Sequence, residues 1–145
     1  MHGWAADTIG AIGEPKSGPE GYLHASFTDS PSSRTAGEQV LGRIYARTEG
    51  RDEQASWRTR NAQYDAVLKW GTPNFGLLQR LSAIEQPVFI ANGDDDRVIL
   101  PWYSHLTASL VPDAFVKLYP DSAHGFLFQH ARTFAADVRA FLSSP

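Results

Sequence analysis

The chain has no cysteine among its 145 residues. That excludes disulfide staples and thiolate metal centres, and it gives no sign of export to an oxidising compartment. Positive charge is not in excess either. Thirteen Lys and Arg against 16 Asp and Glu leave a formal net charge of −3. No basic stripe is present to follow a phosphate backbone or an anionic membrane surface, so neither nucleic acid nor membrane is an expected partner. Long apolar runs are missing. A bilayer span needs about 20 consecutive apolar residues, and nothing here approaches that. Residues 1–7 (Met1-His2-Gly3-Trp4-Ala5-Ala6-Asp7) lack the basic and apolar regions of a signal peptide. A soluble cytoplasmic protein is the expectation. One more absence bears on chemistry: no serine stands between glycines at ±2, so the Gly-x-Ser-x-Gly turn that exposes a serine nucleophile is lacking.

What is present suffices for a core. Apolar residues make up 42% and aromatics 12% of the chain, and one domain of this length buries roughly 68–70% of its unfolded surface. Residues 1–30 are broken by Gly10, Gly13, Pro15, Gly18, Pro19 and Gly21, which predicts short turns and one helix over 20–27. Residues 13–18 (Gly-Glu-Pro-Lys-Ser-Gly) do not form a phosphate loop. They lack the Gly-Lys-Ser/Thr ending whose lysine and hydroxyl hold phosphate and Mg²⁺.

Two longer helices follow. Ser30 is an N-cap with Pro31 at N1, and Ala36, Val40, Leu41, Ile44 and Tyr45 fall on one face. The second covers about 53–70, with Trp57, Tyr64, Val67 and Leu68 as its stripe and Gly71 as terminator. A shorter helix over 75–81 precedes the first strand. Beyond Gln86 the rhythm becomes strand, helix, strand, helix. Residues 88–91 form an unbroken apolar strand that reads as buried on both faces. Pro101 opens a helix with Trp102, Leu106 and Leu110 in repeat, and 115–119 is the next strand. A last helix over 131–142 carries Phe134, Ala135, Val138, Phe141 and Leu142 on one face. Strand–helix–strand at this length is a parallel βαβ unit.

Two strands make a marginal sheet, and an uncovered apolar edge invites association. The simplest account places the remaining strands outside this chain, with Met1 an internal methionine of a longer reading frame.

In an open parallel sheet, functional groups gather past the carboxyl ends of the strands. Asp96 and His124 both stand there, on consecutive strands. A base needs an imidazole that takes and returns a proton, and a carboxylate on its other nitrogen to fix the tautomer. Each also has a plainer reading: Asp96 as a solvated turn or helix cap, His124 as a surface-loop histidine. Asp94-Asp95-Asp96 is a conceivable Mg²⁺ cluster without a second ligand group in view. Trp57, Tyr64 and Trp70 read as simple core in preference to an acyl pocket. His24, His105 and His130 have no metal-ligand spacing. Phe126 and Phe128 are expected to anchor the histidine loop by packing.

The stretch Pro87–Gly93 followed by Asp96, together with Tyr119-Pro120-Asp121-Ser122-Ala123-His124-Gly125-Phe126-Leu127-Phe128-Gln129, resembles the C-terminal signature of α/β-hydrolase-fold enzymes. The resemblance implies that Asp96, the fourth position of Gly-x-x-Asp, is the triad acid and His124 the triad base. It implies an α/β fold with an α-helical cap segment over 1–80, then the last two βα units of a parallel sheet over 81–145. The full-length form would be a Ser-His-Asp hydrolase of small ester, amide or other acyl-type substrates, needing no metal or organic cofactor. Members of this fold also act on C–C bonds, epoxides and peroxides. The nucleophile elbow and the oxyanion loop lie earlier in the family and have no counterpart here; His2-Gly3 does not extend into the glycine-rich oxyanion motif. Losing a triad nucleophile costs on the order of 10⁶ in kcat, so this chain alone is expected to be inactive. The competing class is a non-catalytic half-hydrolase that pairs through its open sheet edge, with itself or with an N-terminal half.

Overall fold

Prolines and short hydroxyl side chains mark where the helices begin. The computed structural model describes residues 4–13 and 18–143. His2-Gly3 and residues 14–17 of the rejected phosphate loop lie outside the described residues. Helix α1 (Ala6–Ile12) packs against α2 (Pro19–Ser26). Only the second was expected. Gly21, read as a breaker, is a contact point instead: the carbonyl of Ala11 fills the place a side chain would take.

Helix α3 (Pro31–Ala46) starts as its cap predicts, with the Ser33 amide donating to Ser30 Oγ at 3.1 Å. Its buried face is Ser33, Gly37 and Val40, and Ile44 and Tyr45 of the expected stripe are exposed. Gly37 explains the shift. A side chain there would collide with Leu23 and Phe27, so the helix is drawn onto α2 along its smallest residue. Leu23, Phe27 and Val40 form the buried cluster, flanked by Tyr22, Ala36 and Leu41.

Helix α4 (Trp57–Trp70) begins later than expected because Ser56 is its cap, accepting from the Thr59 amide at 3.1 Å. It buries none of its residues; Trp57, Val67, Leu68 and Trp70 are exposed, so the core reading of that stripe is corrected. A shallow cavity is lined by Trp4, Ile12, Arg60, Tyr64 and Val67, without Trp57 or Trp70. Helix α5 (Phe75–Gln79) continues as a 3₁₀ turn (Arg80–Ala83).

Strand β1 (Val88–Gly93), helix α6 (Pro101–Leu110) and strand β2 (Ala114–Tyr119) form the expected parallel unit, with Val88 opposite Ala114 and Gly93 opposite Tyr119. Short helix α7 (Phe126–Gln129) and helix α8 (Ala131–Leu142) close the chain. On one face of the sheet Phe89 and Phe115 both meet Phe141 of α8, at ring separations of 5.7 and 6.1 Å. Further along β2, Lys117 and Tyr119 each donate to Asp137 of α8 at 2.6 Å. Side chains alternate along a strand, which leaves the other face to α6, the helix in contact with both strands. The strands are only partly buried, contrary to the expectation of burial on both faces. Trp102, part of the expected apolar repeat on α6, is exposed as well. The physical reason is the sheet's width: β1 and β2 pair only with each other, so each leaves one edge without a neighbour among the described residues.

Candidate active site

Parallel register brings the carboxyl ends of β1 and β2 side by side, and the loops beyond them are stitched together by main chain. The Asp94 amide donates to the Tyr119 carbonyl and the Asp95 amide to the Ser122 carbonyl, both at 3.0 Å. Gly93 makes this approach feasible. Carbonyl oxygens of Ser122 and Ala123 occupy the space that any Cβ at Gly93 would need.

Asp96 is 2% exposed, yet its carboxylate has partners for both oxygens. Oδ1 accepts from the amides of Val98 (2.7 Å) and Ile99 (2.9 Å), and Oδ2 lies 2.9 Å from Nδ1 of His124. A carboxylate can only accept, so Nδ1 carries the proton and donates it to Asp96. That leaves Nε2 as the free lone pair of neutral His124. The ring is turned outward, with its side chain 49% exposed. Among the described residues nothing hydrogen-bonds Nε2, and no hydroxyl reaches it. The bond to Asp96 raises the His124 pKa above its ordinary value; burial opposes this, and the carboxylate's charge adds to it.

Geometry therefore joins Asp96 and His124 as the sequence suggested, and it separates Asp94 and Asp95 from them. Asp94 accepts from the Ser122 amide at 3.2 Å, and Asp95 faces Arg97 at 3.6 Å. Among the described residues no group of acidic or histidine side chains is arranged to hold a metal. His130 meets Tyr119 at a tilt with rings 5.5 Å apart, His24 lies 3.4 Å from Asp7, and His105 is exposed on α6. Phe126 is buried and stacks on Tyr119 at 5.2 Å. Phe128, on the same short helix, is exposed.

Residues not singled out from sequence complete the site. The carboxylate of Asp121 accepts from Thr28 Oγ1 (2.6 Å), Ser30 Oγ (2.6 Å) and Ser32 Oγ (2.7 Å). These three donors hold its pKa below the ordinary carboxylate value. Arg97, next to Asp96, reaches Asp29 at 2.9 Å. Helix capping signalled Ser30, but no local pattern marks an acceptor some ninety residues away in the chain.

No protein-family model matches the chain. A non-heme haloperoxidase from Rhodococcus erythropolis is 34% identical over 84 residues, which is 57% of this chain and 30% of that protein. A bifunctional esterase/perhydrolase from Acinetobacter calcoaceticus is 32% identical over 84 residues, again 57% of this chain and 30% of that protein. Among solved structures, an α/β-hydrolase fold protein from Chitinophaga pinensis superposes with a TM-score of 0.81 at 35% identity. The match covers 96% of this chain and 50% of that one. The chain carries part of an α/β-hydrolase fold, its C-terminal portion. A membrane phospholipase A shares the fold at 19% identity, with a TM-score of 0.59 over 98% of this chain and 45% of that one. This hydrolase-fold chain thus spans about half the length of its structural neighbours, and its matched segment about a third of its curated relatives. No described helix is long and apolar enough to cross a membrane.

Proposed function

We propose that Asp96 and His124 are the acid and base of a Ser-His-Asp hydrolase acting on small ester or other acyl-type substrates. The nucleophile and the oxyanion donors would come from a segment outside this chain. The observation that carries this reading is the 2.9 Å bond between a buried, amide-fixed carboxylate and Nδ1 of an imidazole whose Nε2 is open. In that arrangement Nε2 takes the proton of an attacking serine hydroxyl as the serine oxygen bonds to the acyl carbon. It then returns that proton to the leaving group, with Asp96 stabilising the imidazolium throughout. The activities named for the relatives, an esterase/perhydrolase and haloperoxidases, support an acyl-transfer site. By itself the chain is inactive on this reading, since an acid–base pair without nucleophile and oxyanion donors can only assist a water.

A chimera tests it. The half of the Chitinophaga pinensis protein that this chain does not match is fused ahead of residue 1, and ester hydrolysis is measured. Turnover is expected in the fusion and not in the chain alone. His124→Ala in the fusion should lower kcat by several orders of magnitude, up to about 10⁶ by analogy with other triads. Turnover indifferent to His124→Ala, or His124-dependent turnover by the chain alone, would overturn the reading.

A second reading has its own support. The free edges of β1 and β2, with Phe115 56% exposed beside them, suit a non-catalytic module that pairs through its sheet.

A further inference from the structure

The loop that carries His124 is fastened on both sides to the corner between α2 and α3, residues 26–33. Upstream, Asp121 accepts the three hydroxyls of Thr28, Ser30 and Ser32. Its backbone is held as well, because Gln129 Nε2 donates to the Asp121 carbonyl at 2.7 Å. The other end of that amide, Oε1, accepts from Ser33 Oγ at 2.7 Å. Ser33 Oγ in turn accepts from the Thr28 amide at 2.9 Å. Downstream, the Gly125 amide donates to the Ser26 carbonyl at 2.7 Å. Ser26 and Phe27 fill the space where a side chain on Gly125 would go. The acid loop reaches the same corner through Arg97 and Asp29.

We propose that Asp121 is a positioning residue for His124: its carboxylate clasps the histidine loop to the α2–α3 corner and so sets the ring on Asp96. Asp121 adopts a left-handed backbone, φ +50°. Aspartate tolerates that conformation, but only surroundings that fix the turn hold it there. One bond, from Nδ1 to Asp96, aims the ring directly, and the ring is half exposed. The loop's anchors therefore decide whether that bond forms. Three hydroxyls converging on one side chain give a hydrogen-bonded anchor that a turn residue without a polar side chain would not supply. The helical corner thereby becomes part of the base site, so any motion of α2 and α3 is transmitted to His124.

This proposal rests on the acid–base reading of Asp96 and His124, and its test is independent of turnover. The ring signals of His124 are titrated by NMR in the 145-residue chain, in Asp121→Gly and in Asp121→Asn. Glycine keeps the left-handed backbone and deletes the carboxylate. Asparagine keeps the backbone and can rebuild hydrogen bonds, because hydroxyls both donate and accept. The Gly variant is expected to move the His124 pKa back toward its ordinary value and to lose the Nδ1 proton signal of the Asp96 bond. The Asn variant should restore most of both. Thr28→Val with Ser32→Ala, which removes two donors and leaves Asp121 in place, should shift the titration in the same direction by less, and it serves if the Gly variant does not fold. Tyr119→Phe, which loosens α8 without touching the corner, should lower the melting temperature and leave His124 titrating as before. An unchanged His124 titration in the Gly and the double variants, whatever their melting temperatures, would overturn the proposal. A normal clasp result with an inactive chimera would instead fault the catalytic reading alone.

Discussion

His124 shows how one hydrogen bond sets both chemistry and stability. The Asp96 bond favours the imidazolium, so the pKa of the folded state lies above the 6.5 of a free side chain. A group whose pKa is raised by folding stabilises the fold fully below its unfolded value. That contribution is lost as pH rises through the folded value. His124→Gln removes the titration while keeping a donor of similar reach. The variant should therefore melt in urea below the wild type at pH 5.5, with the gap closing as pH is raised to 9 at constant salt. The ring is half exposed, so solvent screening keeps the effect modest. A gap that is constant, or that widens with pH, would mean that folding does not raise the His124 pKa. Asp96 and His124 were legible in sequence because each follows a short apolar strand at a recognisable spacing. Asp121, three residues before the histidine, was not. Its partners Thr28, Ser30 and Ser32 lie on another element, and only the tertiary fold brings them there.

Elements were legible where their signals are local, and mis-sized where they depend on neighbours. Ser30-Pro31 announced α3, and the apolar blocks announced β1 and β2. Glycine was misread at Gly21, which is a point of close helix approach and not a break, and this hid α1; Gly37, which carried no reading of its own, moved the buried face of α3. Helix α8 came through nearly unchanged because its contacts are to the adjacent strand. There Asp137 gathers Lys117 and Tyr119, and its pKa is held below the ordinary carboxylate value, first by the Lys117 bond and then by that of Tyr119. Tyr119 is pushed well above the usual phenol range, first by burial and then by the bond to Asp137. The ring also stacks on Phe126 and meets Phe134 edge-on at 6.0 Å. Tyr119→Phe keeps that stacking and deletes the hydroxyl. It should cost about 1.5–3 kcal/mol, the worth of one hydrogen bond to a charged group, measured as a drop in urea midpoint with the slope unchanged. A loss several times larger would mean that the hydroxyl holds α8 in register and does more than add one bond.

At the scale of the molecule, the sheet is narrow: among the described residues it has two strands. A parallel sheet is covered by helices on both faces; among the described residues two strands pair, with α6 against both and Asp137 and Phe141 of α8 on the other face. Phe75, Trp70, Trp102, Phe115 and Leu142 are all exposed, an apolar load that isolated surface residues do not explain. The chain covers 50% of the Chitinophaga pinensis structure it resembles. Two routes can satisfy the free edges: pairing with another copy, or pairing with the unmatched half. They predict different masses. Alone, the chain should sediment as dimers or larger species at micromolar concentration, with mass falling on dilution. In the chimera, where the unmatched half occupies the edge within one polypeptide, the same conditions should give a monomer. A monomeric, cooperatively melting 145-residue chain would mean that the helices of residues 4–83 shield the strands without help, and the pairing module would then lose its support. An associating chain and an associating chimera together would point away from the sheet edge, toward the exposed aromatic residues around α4 and α5 as the contact surface.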